Sequence, residues 1–159
     1  GPRSNNSLLP KFGEREREIW EGEECWQGFR ELLERALIAW DWAESFTAFM
    51  LVVKPAIEET VLFQVGDLAR SRGDTLLGLL TQAQMRDAER HRRWSTALVQ
   101  MALEKDANKV IFDAWLDKWV PLAEAGVEQF CTVFGEEGAA MAEKAKLAAA
   151  KFRANIGLQ

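Results

Sequence analysis

The sequence predicts an all-α protein, an antiparallel bundle of long helices. Three observations carry this. From Cys25 onward apolar residues recur at steps of three and four, the spacing that gathers them on one face of a helix. Strict apolar–polar alternation is absent, and the turn dipeptides that would join short strands are sparse. The clearest break, Gly73-Asp74, leaves almost no loop, so the helices on either side must run antiparallel. With 159 residues, 48% hydrophobic and 28% charged, the chain is long enough to bury one core without disulfides or metals.

Residues 1–24 form an acidic arm in which Glu14, Glu16, Glu18, Glu21, Glu23 and Glu24 outnumber Lys11, Arg15 and Arg17. A short helix fits there, tied down by Trp20, and Gly1-Pro2 reads as the remnant of a cleaved tag. The helical domain spans 25–159. Its first helix places Trp26, Phe29, Leu33, Leu37 and Trp40 on one face. Asp41 and Glu44 have the spacing of a capping box and open a second helix with the stripe Phe46, Met50, Val53, Ile57, Val61, Val65 and Leu68. Pro55 lies inside that stripe, where its missing donor predicts a kink or two helices end to end. Gly73 suits the left-handed position after a helix, and Asp74 caps a third helix from Thr75 to about Lys105. The predicted inward face of that helix reads Leu76, Leu80, Ala83, Asp87, His91, Trp94, Leu98 and Met101. After the turn at Asp106-Ala107-Asn108, a fourth helix carries Ile111, Trp115, Trp119, Leu122, Gly126, Phe130 and Val133. Pro121 is expected to kink it and Gly135 to end it. A last helix, from about Gly138 to Ile156, is rich in alanine and lysine and only weakly apolar.

Composition closes off several function classes. The chain has one histidine, His91, no tyrosine and seven tryptophans, which removes most common catalytic machinery. A net charge of −5 argues against general nucleic-acid binding. No apolar run approaches the roughly 18–20 residues of a membrane span, and no apolar leader is evident at the start. Cys25 and Cys131 lie far apart without zinc-like spacing, so two reduced thiols in a cytoplasmic protein are expected. There is no Gly-rich phosphate loop, no Gly-x-Ser-x-Gly elbow and no supported Cys/His pair.

The polar residues of interest sit on the third helix. Asp87 and His91 are four apart and share a face, the one predicted to be buried. Bundles with a di-iron centre use Glu-x-x-His on each of two helices and one Glu from each of the others. Here Ala88 stands three before His91, and no second histidine exists. The pair is therefore expected to satisfy itself inside the bundle; the other readings are a metal ligand and a contact to a bound ligand. Arg86, Arg90, Arg92 and Arg93, interleaved with Asp87 and Glu89, are expected to form a solvated or subunit-facing surface. Lys144, Lys146 and Lys151 are expected on the solvated face of the last helix, or on a docking face. Trp94, Trp115 and Trp119 fit core stripes. Trp40 and Trp42 flank Asp41 and cannot both point into one core. With Trp40 assigned to the core, Trp42 is left at the surface, and Trp40, Asp41, Trp42 and Phe46 become candidates for an interface.

Five segments in order resemble a known family: Leu37-Ile38-Ala39-Trp40-Asp41-Trp42-Ala43-Glu44, Leu51-Val52-Val53-Lys54-Pro55, Gly73-Asp74, Asp87-Ala88-Glu89-Arg90-His91-Arg92-Arg93-Trp94 and Ala114-Trp115-Leu116-Asp117-Lys118-Trp119-Val120-Pro121. Together they resemble the β subunit of the hydroxylase component of bacterial multicomponent monooxygenases, the phenol, toluene, alkene, propane and methane oxidising group. The resemblance implies a ferritin-like helical fold with no metal, cofactor or catalytic residue in this chain. It implies a di-iron α subunit that β packs against, a γ subunit, and a hetero-oligomer of αβγ units. A small regulatory protein and a flavin/iron–sulfur reductase would complete an NADH-dependent oxygenase complex acting on small hydrocarbons or aromatics. Family β chains are roughly twice as long, and the likeness covers their C-terminal helical part. The alternative is a helical interaction or ligand-binding protein on a metal-free ferritin-like scaffold; a metal enzyme completed by a second chain is a third reading.

Overall fold

The computed structural model describes residues 9–158, so the tag-remnant reading of Gly1-Pro2 lies outside the described residues. Among the described residues six helices follow in order: α1 (Leu9–Gly22), α2 (Glu24–Leu37), α3 (residues 42–71), α4 (Thr75–Leu103), α5 (Asp106–Cys131) and α6 (Gly138–Ile156). No strand occurs among the described residues. Helix α1 is held to α2 through Trp20, whose ring centroid lies 5.9 Å from that of Trp26.

The most extensive helix contact is between α2 and α5, and small residues make it possible. A Cβ on Gly28 would stand 2.7 Å from the Cα of Gly126, so a side chain at either position forces the backbones apart. The Gly28 N–H donates to Oε1 of Gln129 at 2.6 Å across this contact. Around it, Phe29, Leu32 and Ala36 of α2 and Leu116, Trp119, Val127 and Phe130 of α5 are buried together.

Helix α3 runs through the middle of the molecule, with Ala48, Leu51, Val52, Val53 and Ala56 buried. Pro55 does not split it. The turns before and after it, Thr47–Val53 and Glu58–Gln64, are π-helical, and the Lys54 N–H bonds back five residues to the Phe49 carbonyl. A turn one residue wider than an α turn gives the pyrrolidine ring room without ending the run. Pro121 likewise lies inside an unbroken α5. Gly135 adopts φ +60° within a short 3-10 segment (Thr132–Glu137) that separates α5 from α6.

The α3–α4 turn forms as expected: Gly73 has φ +79°, and Asp74 accepts from the Leu77 N–H at 3.0 Å. Helix α4 nevertheless faces the other way from the sequence reading. Its buried residues are Gly78, Thr81, Ala88, Ser95 and Val99. The expected inward stripe is at the surface, with Leu76 71% and Met101 66% exposed, and Leu80, Trp94 and Leu98 also exposed. The reason is close packing. A Cβ on Gly66 of α3 would meet Thr81 Oγ1 at 2.8 Å, so only small side chains fit between the two helices.

Candidate functional site

The α2–α3 junction is built by one aspartate. Helix α2 ends at Leu37, and Asp41, in extended conformation, accepts from the Glu44 N–H at 2.8 Å. Glu44 does not reach back as a full capping box requires. Its carboxylate turns to α5 instead, accepting from Lys118 Nζ at 2.7 Å and from the buried indole Nε1 of Trp119 at 3.0 Å. Ser45 Oγ adds a bond to the Ala39 carbonyl at 3.0 Å. The junction is thereby fixed rigidly to the core.

On this fixed base sits an exposed aromatic surface. Trp42 is 71% exposed and stacks on Phe46, with centroids 5.6 Å apart. Phe46 in turn meets Trp94 of α4 at 5.9 Å. Trp40 corrects the sequence reading: it lies beyond the end of α2 and is fully exposed, not part of the core. Leu37 and Ile38 are exposed beside it. Trp40, Ile38 and Asp41 line a cleft of about 720 Å³ with Arg35, Lys118 and Pro121.

The Asp87–His91 pair is not formed. Asp87 is exposed and pairs with Arg90 at 3.0 Å, because the phase of α4 that buries Ala88 turns Asp87 to solvent. His91 is half-buried, and its Nδ1 is buried without a hydrogen-bond partner among the described residues. The buried polar centre is one step further on. Arg92 donates through Nε to Glu58 Oε2 at 3.0 Å and through Nη1 to Glu59 Oε1 at 2.9 Å. Its guanidinium lies between the rings of Phe63 and Phe152, at 5.3 and 5.1 Å. Lys54 Nζ stands 3.0 Å from the other oxygen of Glu58, which has no hydrogen-bond geometry. Arg92 is thus no part of a solvated basic surface. Glu58 and Glu59 were missed from sequence; two adjacent carboxylates inside an apolar stretch were the signal, since buried charges require partners.

This arrangement does not fit a di-iron centre. Among the described residues no three His, Cys, Asp or Glu side chains gather where a metal could bind. The carboxylates of Glu58 and Glu59 are already neutralised by Lys54 and Arg92. Lys146 is likewise engaged, by Glu128 at 2.7 Å and by Glu143, and these hydrogen bonds hold its ammonium well above the ordinary lysine range. Burial pushes up the thiols of Cys131 and Cys25, the latter aided by Glu23. Of the remaining tryptophans, Trp119 is 2% exposed, Trp115 is half-buried and Trp94 is exposed.

Comparison with known proteins gives these features a context. The family model for methane/phenol/alkene hydroxylases matches residues 4–106. The hydroxylase β subunit of the toluene-4-monooxygenase system of Ectopseudomonas mendocina is 46% identical over 126 residues, covering 79% of this chain and 38% of that relative. The small hydroxylase subunit of propane 2-monooxygenase from Gordonia sp. (strain TY-5) is 28% identical, over 69% of this chain and 31% of its own length. An oxygenase component of phenol 2-monooxygenase from Pseudomonas sp. (strain CF600) is 30% identical, over 65% and 32%. A solved structure of toluene 4-monooxygenase, with toluene bound in its resting active site, superposes with a TM-score of 0.72 at 45% identity, covering 82% of this chain and 41% of that one. The fold is that of a ferritin-like helical hydroxylase chain. The chain spans about 38% of the first of these relatives and corresponds to its C-terminal part.

Proposed function

The chain belongs to the methane/phenol/alkene hydroxylase family, and from that membership we propose that it serves as a non-catalytic structural part of a hydroxylase β subunit. Its role is to pack against a di-iron α subunit in a multicomponent monooxygenase that oxidises small hydrocarbons or aromatics. The observation that carries this reading is the 46% identity to a hydroxylase β subunit. Two features of the molecule support it. The Glu58 and Glu59 carboxylates are consumed by internal ion pairs, and the largest aromatic side chains near the α2–α3 junction are left at the surface.

In this reading Trp40, Asp41, Trp42 and Phe46 contribute the contact to the α chain. Asp41 and Glu44 hold the backbone, so the tryptophans are presented with little conformational freedom to lose on binding. The substrate pocket and the iron belong to the α subunit. A γ subunit, a regulatory protein and a reductase complete the assembly in the cytoplasm, as the resemblance implies.

The test is co-expression with the α subunit of the toluene 4-monooxygenase hydroxylase, followed by size-exclusion chromatography. The chain should elute with α, and Trp42→Ala should weaken the complex by about 2 kcal/mol or more, the scale of an interface hot spot. Separate elution of the wild-type chain would overturn the reading.

A further inference from the structure

We propose that the cleft between the end of α2 and the middle of α5 is a receptor for one basic side chain, an arginine, carried by the α subunit. The inference rests on the reading of this chain as part of a β subunit and deepens it, naming the group that the Trp40 side of the surface recognises.

Five charged side chains line the cleft: Arg35, Asp41, Glu44, Asp117 and Lys118. Both cations are engaged. Arg35 Nη2 stands 2.6 Å from Glu31 Oε1. Lys118 Nζ donates to Glu44 Oε1 at 2.7 Å and lies over the Trp119 ring, so Glu44 is neutralised as well. The other two carboxylates are not. Asp41 accepts one backbone N–H, through Oδ1, and Asp117 has no ion pair or side-chain hydrogen bond among the described residues. The cleft therefore presents uncompensated negative charge, and the complementary group on a partner is a cation.

Trp40 decides which cation. Its indole is fully exposed and lines the same cleft, whose apolar walls are completed by Ile38, Pro121 and Leu122. A guanidinium is planar and weakly hydrated, so it can stack on an indole while its N–H fork donates to a carboxylate. An ammonium is a compact, strongly hydrated charge and gains less on such a surface. The apolar walls suit the methylene stem of the side chain. The interior of the molecule already uses this combination. Arg92 lies between the rings of Phe63 and Phe152 and donates to the adjacent carboxylates of Glu58 and Glu59. The cleft offers the aromatic and acidic halves of the same arrangement, from the α2–α3 linker and from α5.

Continuity selects the source. Trp40 and Asp41 adjoin Trp42 and Phe46, the surface assigned above to the α contact, so the arginine is placed on α. The cap at Asp41 and the bonds from Glu44 to α5 hold the cleft in shape before binding, which lowers the ordering cost.

The experiment measures binding of this chain to the tagged α subunit of the toluene 4-monooxygenase hydroxylase at low and high salt. Asp117→Asn, nearly isosteric and at an exposed position, should raise the dissociation constant by about tenfold or more and make it less sensitive to salt. Asp117→Glu keeps the charge and should retain both the affinity and the salt response. Trp40→Leu keeps apolar area but removes the π face, and should weaken binding by about fivefold. Binding that is indifferent to Asp117→Asn, or strengthened by it, would overturn the inference and leave the proposed function standing. So would wild-type affinity in Trp40→Leu, because the cation would then not lie on the indole. Self-association of the lone chain that Asp117→Asn abolishes would overturn it by making a second copy the occupant. A wild-type chain that does not bind α overturns the proposed function and this inference with it.

Discussion

Helices α2 and α4 carry similar apolar stripes, and the molecule treats them in opposite ways. In α2, Phe29 and Leu32 enter the core, drawn in by the glycine contact that lets its backbone approach α5. In α4, the stripe from Leu76 to Met101 faces outward, while Gly78, Thr81, Ala88 and Ser95 are buried. The difference lies in the neighbour. Helix α5 offers Gly126 opposite an aromatic face, whereas α3 approaches α4 too closely for anything but small residues. Apolar periodicity thus does not by itself decide which face of a helix enters the core of its own chain.

The comparison can be broken most forcefully in the α2–α5 core. Trp119→Ala empties a large buried site and removes one of the two donors to the Glu44 carboxylate. It should cost about 3–5 kcal/mol, lowering the melting temperature by roughly ten degrees in a chain of this length. Gly126→Val puts a side chain against Phe29 and the α2 backbone. Overpacking of this kind should cost about 1–3 kcal/mol, read from the denaturation midpoint. Asp74→Ala removes the bond to the Leu77 N–H that starts α4, and about 1 kcal/mol should be lost. On the outward face the same measurements should barely move. Leu76→Glu and Met101→Glu should each stay within about 0.5 kcal/mol of wild type. If either unfolds the chain, the stripe is core and the orientation of α4 is wrong. Asp87→Asn should have the smallest effect, within about 0.5 kcal/mol, since its partner Arg90 is exposed with it.

Element boundaries were legible because local chemistry decides them. Asp41 and Gly73-Asp74 mark starts and stops through caps and left-handed backbone, and the last helix falls at Gly138–Ile156 as the residues suggest. The π turns that carry the run past Pro55 were not legible, since they depend on the surrounding packing and leave no sequence mark of their own. Helix phase was the larger loss. Thr81, Ala88 and Ser95 carry no hydropathic signal, yet close packing against α3 selects them, and with them Asp87 moves to solvent and Arg92 to the interior. The Trp42 surface was legible, but for a reason that needed correcting. Both Trp40 and Trp42 are exposed, because α2 ends before Trp40 and its side chain never reaches the core.

The central claim is that this chain supplies structure and surface to an oxygenase while the iron belongs elsewhere. Elemental analysis tests it directly, performed after anaerobic loading with ferrous iron and removal of loosely bound metal. The lone chain should hold no stoichiometric iron, and iron in a complex with the hydroxylase α subunit should follow the α chain. One or more tightly held irons on the isolated chain would contradict the account.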